Sequence, residues 1–333
     1  MLVRELNAAL HHLLDTDSRV VVLGEDIADP YGGAFKVTRG LSTAHPDRVL
    51  TTPVSEAAIV GLAAGLAMSG YRPIVEIMFG DFVTLAFDQI VNHITKYPAM
   101  YAGKVTCPVI VRVPSGGHRG YGPTHSQSLE KHFLGVPGLK VVAASAFHDP
   151  AAILAALLDQ DDPVMYVEHK LLYAEPLVRA GRIGEAIGHE TGSPGFLPTV
   201  TMSYVDPAEC TATVLAYGYT ALLAARAIET LAVEEEVFAE LVVPAQLAPM
   251  DWAPVLESVE RTGSLVTLEE GMAGWSWGTQ AAAEIGQRQF GRLRRPVSVI
   301  ASGPGVIPSR RDLEREVLVG IDQATAAIRE AAR

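Results

Sequence analysis

The chain has 333 residues, 49% of them hydrophobic and 19% charged, with a formal net charge of −12. That length allows two domains of ordinary size with large cores, and an acidic balance without any basic run excludes nucleic acid as the main partner. No apolar run reaches membrane-spanning length and no polybasic or lipidation signal is present, so no membrane role is expected.

The charged fraction lies below the usual quarter, which predicts that part of the surface is covered by another subunit. The two cysteines, Cys107 and Cys210, are far apart and outside any Cys-x-x-Cys or Cys/His spacing. Neither a disulfide framework nor a structural zinc is expected, and a reducing cytoplasm is the default setting. Val3 to Leu14 already reads as an amphipathic helix with Glu5 and His11-His12 inside it, unlike a signal peptide.

Helical and strand patterns alternate from there. After a helix at 3–15, Arg19 to Leu23 reads as a short β-branched strand. It ends at Gly24-Glu25-Asp26, the kind of carboxyl end where open α/β sheets bind ligands. Residues 27–47 read as irregular around the Pro30-Tyr31-Gly32-Gly33 loop. Next comes Thr51-Thr52-Pro53-Val54-Ser55-Glu56, an extended segment that turns into an apolar helix. Pro53 disfavours the helical region for Thr52, and Ser55 is placed to cap the helix with its hydroxyl. Glu56 then falls in the first turn, where the positive helix end favours its charge. Ile59, Leu62, Ala63 and Leu66 are expected on the core face, while Gly61 and Gly65 leave room for another backbone. A carboxylate so held is suited to proton exchange with a buried ligand, although acids favour first helical turns for the dipole alone.

Pro73 to Phe79 reads as the next strand, in which Glu76 needs a partner if buried. A helix is predicted from Phe82 to about Tyr97, with Phe87, Ile90, Val91 and Ile94 on its core face and Phe82 in the core. Pro108 to Val113 is a third strand. The Gly-rich, two-histidine segment Ser115 to Gln127 follows, and loops of that length in compact domains are functional or disordered. It lacks a Walker lysine and the Gly-x-Gly-x-x-Gly register, which disfavours a phosphate cradle. His125, predicted to precede a helix, is the candidate general acid or base; a loop histidine held by local hydrogen bonds is the alternative. His118, His93 and His132 are expected on the surface or in support, and His169-Lys170 suggests no specific role. A strand at Leu139–Ala143, a helix at 150–158 capped by Asp149 with Pro150 first, and a strand at Pro163–Glu168 complete the first domain. Glu25 and Glu56 both lie at element ends able to face one cleft, where environment can push two carboxyl pKa values apart.

Periodicity fades from about 171 to 210. A second series follows, with strands at Thr211–Tyr217, Val237–Val243, Ser264–Leu268 and Pro296–Ala301, and helices near 219–231, 251–260, 278–289 and 310–331. The expected fold is α/β, with two doubly wound, mainly parallel-sheet domains at 1–185 and 211–333 joined by a linker at 186–210. Glu269-Glu270-Gly271 with Trp275 and Trp277 reads as an exposed turn that makes a subunit contact.

Taken in order, Gly24-Glu25-Asp26-Ile27, Tyr31 to Leu41, Thr52-Pro53-Val54-Ser55-Glu56, Arg72 to Glu76, Asp81-Phe82 with Asp88-Gln89-Ile90, His125-Ser126-Gln127 and Glu168 to Tyr173 add up to a resemblance. The chain resembles the β subunit of the thiamine-diphosphate-dependent decarboxylating component of 2-oxo acid dehydrogenase complexes, of the pyruvate, acetoin and branched-chain kinds. The match is dense to residue 173 and thinner beyond, where Ala212 to Gly218 and Thr262 to Val266 still fit. The resemblance implies a transketolase-like pyrimidine-binding domain followed by a transketolase-type C-terminal domain. It implies that Glu56 shares a proton with the cofactor's pyrimidine nitrogen, which promotes formation of the reactive ylid. Phe82 would pack on the pyrimidine, Glu25 and Val54 would line the cofactor pocket, and His125 would assist acyl transfer to a lipoyl group. The implied reaction is oxidative decarboxylation of a small 2-oxo acid, in which the cofactor does the hard chemistry and the protein supplies position and electrostatics.

No Gly-Asp-Gly followed by a distant Asn is present, so the Mg2+–diphosphate site would belong to a separate α subunit. The implied assembly is an α2β2 heterotetramer that serves a lipoyl acyltransferase core. Val109, Leu157 and Asp162 match positions of the family's potassium (K+) site, with Gln160 where an Asp is usual. Thr124 stands where Gln is common, and Val243 to Asp251 replaces a more usual Asp-Leu-Arg stretch. These departures make a specialised enzyme that passes its acyl or aldehyde unit to another acceptor the runner-up. The C-terminal half of a split transketolase and a non-catalytic scaffold subunit are further alternatives. Pro53 to Glu56 and His125 to Gln127 fit the dehydrogenase pattern better, and the joint presence of Glu56, Phe82 and His125 argues against a scaffold.

Overall fold

The β-branched runs become the strands of two seven-stranded sheets in the computed structural model, which describes residues 1–178, 182–183 and 186–333. The first unit runs through α1 (Leu2–Thr16), β1 (Val20–Gly24), α2 (Leu41–Ala44), β2 (Val49–Thr51), α3 (Glu56–Met68), β3 (Arg72–Glu76), α4 (Tyr97–Met100), β4 (Ile110–Ser115), β5 (Lys140–Ala143), α5 (Pro150–Leu158) and β6 (Val164–His169). Its strands lie parallel in the order β5-β6-β4-β3-β1-β2. Alternation along β1 sends Val20 and Val22 to one apolar cluster and Val21 and Leu23 to the other, so both faces of the sheet are covered.

The second unit contains β7 (Arg182–Ile183), β8 (Ala186–Thr191), β9 (Thr199–Ser203), β10 (Ala212–Ala216), α6 (Gly218–Glu235), β11 (Ala239–Pro244), β12 (Gln246–Ala248), α7 (Ala253–Thr262), β13 (Leu265–Met272), α8 (Trp277–Gln289), β14 (Ser298–Ser302), α9 (Arg311–Val317) and α10 (Ile321–Ala332). Its sheet order is β14-β13-β10-β11-β9-β8-β7, parallel as far as β11 and antiparallel from there. The expected linker therefore contains β8 and β9, which extend the second sheet. Residues 184–185, at the expected domain boundary, lie outside the described residues. β12 does not join its own sheet. It pairs antiparallel with β5 at the edge of the first sheet.

Four local expectations change. The predicted helix from Phe82 to Tyr97 is broken into a 3₁₀ turn at Gly80–Ala86, a π-helical turn at Gln89–Ile94 and the short α4. Thr95 Oγ1 donates back to the carbonyls of Ile90 and Val91, which competes with the helical ladder. Ile90 and Ile94 are buried as expected, but Phe87 is 40% exposed. In α3 the buried apolar residues are Ile59, Val60, Ala63, Ala64 and Ala67, leaving Gly61, Leu62 and Gly65 outside. That helix is apolar on nearly every side, so its pattern could not fix which face meets the core. Ser55 does occupy the N-cap of α3, but its hydroxyl makes no capping bond. The two-Trp turn is split: Trp277 is buried in the core and Trp275 is 96% exposed.

Candidate active site

The residues singled out from the sequence lie beyond the carboxyl ends of four neighbouring strands. Glu25 follows β1, Val54 and Glu56 follow β2, Phe82 follows β3, and His125 sits in the loop after β4. This is the edge of a parallel sheet at which ligands bind.

The Thr52 N–H donates to the Gly24 carbonyl at 3.0 Å, carrying the β1–β2 pairing past the end of the strand. Glu25 and Glu56 are thereby brought together, and both are buried. Burial pushes the Glu25 carboxyl above its ordinary value, and the neighbouring charges of Glu56 and Asp26 push it further, against the opposing Ser55 backbone N–H. Glu25 Oε1 is buried and has no hydrogen-bond partner among the described residues. A buried acceptor left open in this way is costly, and it fits a ligand that brings an N–H or O–H donor. Val54 beside them is 81% exposed.

Phe82 and His125 also meet. Their rings lie edge to face with centroids 5.1 Å apart, and Phe79 approaches His125 at 4.7 Å. Asp81 Oδ1 joins the two segments by accepting from the Gln127 backbone N–H at 3.1 Å and from Gln127 Nε2 at 2.9 Å. Gly80 permits the approach, since a Cβ there would lie 2.4 Å from Ser115 Oγ at the end of β4. Thr124 Oγ1 lies 3.0 Å from His125 Nδ1. No α-helix follows His125; the chain instead makes a 3₁₀ turn at Glu130–His132.

Sequence reasoning passed over His169-Lys170. Lys170 is fully buried, its Nζ has no hydrogen-bond partner among the described residues, and it sits 5.7 Å from the Phe79 ring centroid. Burial pulls its amine down to about 8. The position just past β6, next to β4, was the available clue.

The residues matched to a potassium site are arranged differently. The Val109 carbonyl accepts the Val164 N–H, and Leu157 is a buried residue of α5. Asp162 pairs with Lys140 at 3.1 Å, Lys140 also reaches the Gln160 side chain, and Arg72 takes the Gln160 carbonyl and Asp161. Protein cations thus already pair with Asp161, Asp162 and Gln160 of this loop. Among the described residues no group of three or more His, Cys, Asp or Glu side chains is placed to hold a metal.

Two α/β units, with a polar site at the carboxyl edge of the first sheet, define a transketolase-like architecture. The family described as "Transketolase, pyrimidine binding domain" matches residues 3–176, and "Transketolase, C-terminal domain" matches residues 203–324. The chain is 40% identical over 301 residues to the "Pyruvate dehydrogenase E1 component subunit beta" of Leifsonia xyli subsp. xyli, covering 90% of this chain and 85% of that protein. It is 35% identical to the "Acetoin:2,6-dichlorophenolindophenol oxidoreductase subunit beta" of Cupriavidus necator, covering 98% and 95%. It is 37% identical to the "3-methyl-2-oxobutanoate dehydrogenase subunit beta" of Mycobacterium tuberculosis, covering 89% and 82%. A solved structure titled "Split gene transketolase, inactive beta4 tetramer" shares the fold with a TM-score of 0.70 at 22% identity, covering 99% and 97% of the two chains. The chain belongs to the β subunits of the thiamine-diphosphate-dependent 2-oxo acid dehydrogenases.

Proposed function

We propose that this chain forms the pyrimidine-side half of an active site that oxidatively decarboxylates a small 2-oxo acid. An α-type partner completes the site in an α2β2 heterotetramer, supplies the Mg2+ and diphosphate contacts, and hands the acyl group to a lipoyl acyltransferase core. The observation that carries this reading is the buried Glu25–Glu56 pair, with its open carboxyl oxygen, at the edge of the first sheet.

Thiamine diphosphate, when bound, supplies a carbon nucleophile for the 2-oxo carbonyl and a sink for the electrons that carbon dioxide leaves behind. Glu56 shares a proton with a ring nitrogen. Glu25 beside it, whose carboxyl burial pushes above its ordinary value, offers its open oxygen to a donor on the ligand. Phe82 offers an aromatic face to a heterocycle, Val54 offers apolar contact, and His125 moves a proton between the substrate and its acceptor. The partner covers the exposed strip of Gly61, Leu62 and Gly65 together with Leu85. Two free, buried thiols, Cys107 and Cys210, support a reducing cytoplasm.

The test uses the chain co-purified with its neighbouring α-type subunit. Carbon dioxide release is followed over a panel of 2-oxo acids with thiamine diphosphate, Mg2+ and an artificial electron acceptor. One acid is expected to be turned over, and Glu56→Gln is expected to lower that rate by about 10²–10⁴-fold. Full activity in Glu56→Gln would remove Glu56 from the chemistry.

A further inference from the structure

We infer that Glu270 and Glu314, both from the second unit, are positioning residues for His125. They grip the loop that carries it, an inference that rests on the catalytic role proposed for His125.

The loop from Ser115 to Gln127 has little internal stiffness. Gly116, Gly120 and Gly122 all take positive φ values of 88°, 72° and 81°, which glycine adopts freely and at high entropic cost on ordering. Its base closes through the Gly116 N–H donating to the Gln127 carbonyl at 3.1 Å. Glu270, on β13, then holds both stems. Its Oε1 accepts the Gly117 N–H at 2.7 Å and lies 3.4 Å from Ser128 Oγ. Glu314, on α9, accepts the Gly120 N–H at 2.9 Å. Hydrogen bonds from backbone N–H groups to carboxylates are about twice as strong as neutral ones.

The grip is charged and tightly fitted. Glu270 Oε2 lies 2.8 Å from His169 Nε2 and 3.3 Å from His118 Nε2. Burial would raise the Glu270 carboxyl, but the two histidines outweigh it and hold the group well below its ordinary value. His118 reaches the carboxylate from a left-handed backbone with φ of 63°, a conformation rare outside glycine. A Cβ on Gly117 would come within 2.4 Å of Leu318, so the loop is pressed against the second unit where the carboxylates reach it. Asp81 fixes the far stem from the first unit. The placement of His125 against Phe82 is therefore set by both units at once.

The experiment uses the assembled α2β2 enzyme carrying Glu270→Gln, Glu314→Gln or His125→Ala, and each carboxylate variant combined with His125→Ala. Hydrogen exchange across residues 116–126 is expected to speed up at least tenfold in Glu270→Gln and Glu314→Gln, with the rest of the chain unchanged. Acyl transfer to a lipoylated acceptor is expected to lose at least tenfold in kcat with KM unchanged in the parent background, and less than twofold when His125 is already Ala. Equal losses in both backgrounds, or an unchanged exchange rate, would overturn the positioning role alone. Unchanged transfer in His125→Ala would overturn the catalytic assignment of His125, and the positioning role with it. If Glu270→Gln does not assemble, Glu314→Gln carries the same comparison.

Discussion

Arg112 answers the buried charge of Glu76 from the neighbouring strand, with Nη1 2.5 Å from Glu76 Oε2, and neither side chain reaches solvent. The same guanidinium forks onto Glu168 of β6 through Nε and Nη2, both at 2.7 Å, and Tyr173 Oη donates to that carboxylate at 2.6 Å. Burial pushes Glu76 up and Arg112 opposes it. Replacement of Arg112 by Met leaves two carboxylates in the sheet without a cation. The expected loss is about 3–5 kcal/mol of unfolding free energy. Glu76→Gln should cost less, because the Arg112–Glu168 fork survives. Denaturant titration of the three proteins gives the order.

Glu269 responds to pH in a predictable direction. Burial first, with the nearby Glu130 adding, raises its carboxyl to about 7, against the N–H groups of Gly278 and Trp277 and the Ser276 side chain. A raised acid contributes stability that is complete below about 4.5 and is lost as pH rises through about 7. Glu269→Gln keeps an oxygen for the Gly278 N–H, which the carboxylate accepts at 2.7 Å. The variant should exceed the parent by about 2 kcal/mol at pH 8 and match it at pH 4, as read by thermal unfolding at the two values.

Glu25 follows the same sign with a functional cost attached. Its raised carboxyl stabilises the fold below the ordinary glutamate range and stops doing so as pH climbs through the raised value. Glu25→Gln should therefore melt higher than the parent at pH 8 and no higher at pH 4. Titration calorimetry of the assembled enzyme should show weaker binding of thiamine diphosphate, by tenfold or more.

Leu62 tests the partner face. It is 51% exposed on α3 between two glycines with open space around them, and Leu85 beyond β3 is 59% exposed. A charge in a buried interface is strongly unfavourable. Leu62→Glu should abolish co-elution with the α-type subunit in size-exclusion chromatography while far-UV circular dichroism of the isolated chain stays unchanged. Retained co-elution would move the contact elsewhere.

The strands were legible because short β-branched runs report burial on both faces, and Val20 to Leu23 shows this directly. The position of Glu25 and Glu56 at strand ends was also legible, but their proximity depends on β1 and β2 being adjacent, which no local pattern encodes. On α3 Ile59, Ala63 and Leu66 meet the core as expected and only Leu62 was misplaced, because an apolar helix without a polar side gives no sharp direction. Glu270 was read as part of an outward turn; only the folded chain brings it to Gly117, His118 and His169. The partner of Glu76 was hidden for the same reason. An arginine inside an apolar strand is unremarkable until its neighbours are known.

The pairing of β12 with β5 imposes an order of events on synthesis. The first sheet stays one strand short until synthesis has run well into the second unit, because its edge is closed by Gln246 to Ala248. A nascent chain that stalls before this point presents the bare edge of β5, a template for pairing with other chains. Cutting the gene between the two units would leave the same edge open, so the halves are inseparable by truncation even though each has its own sheet.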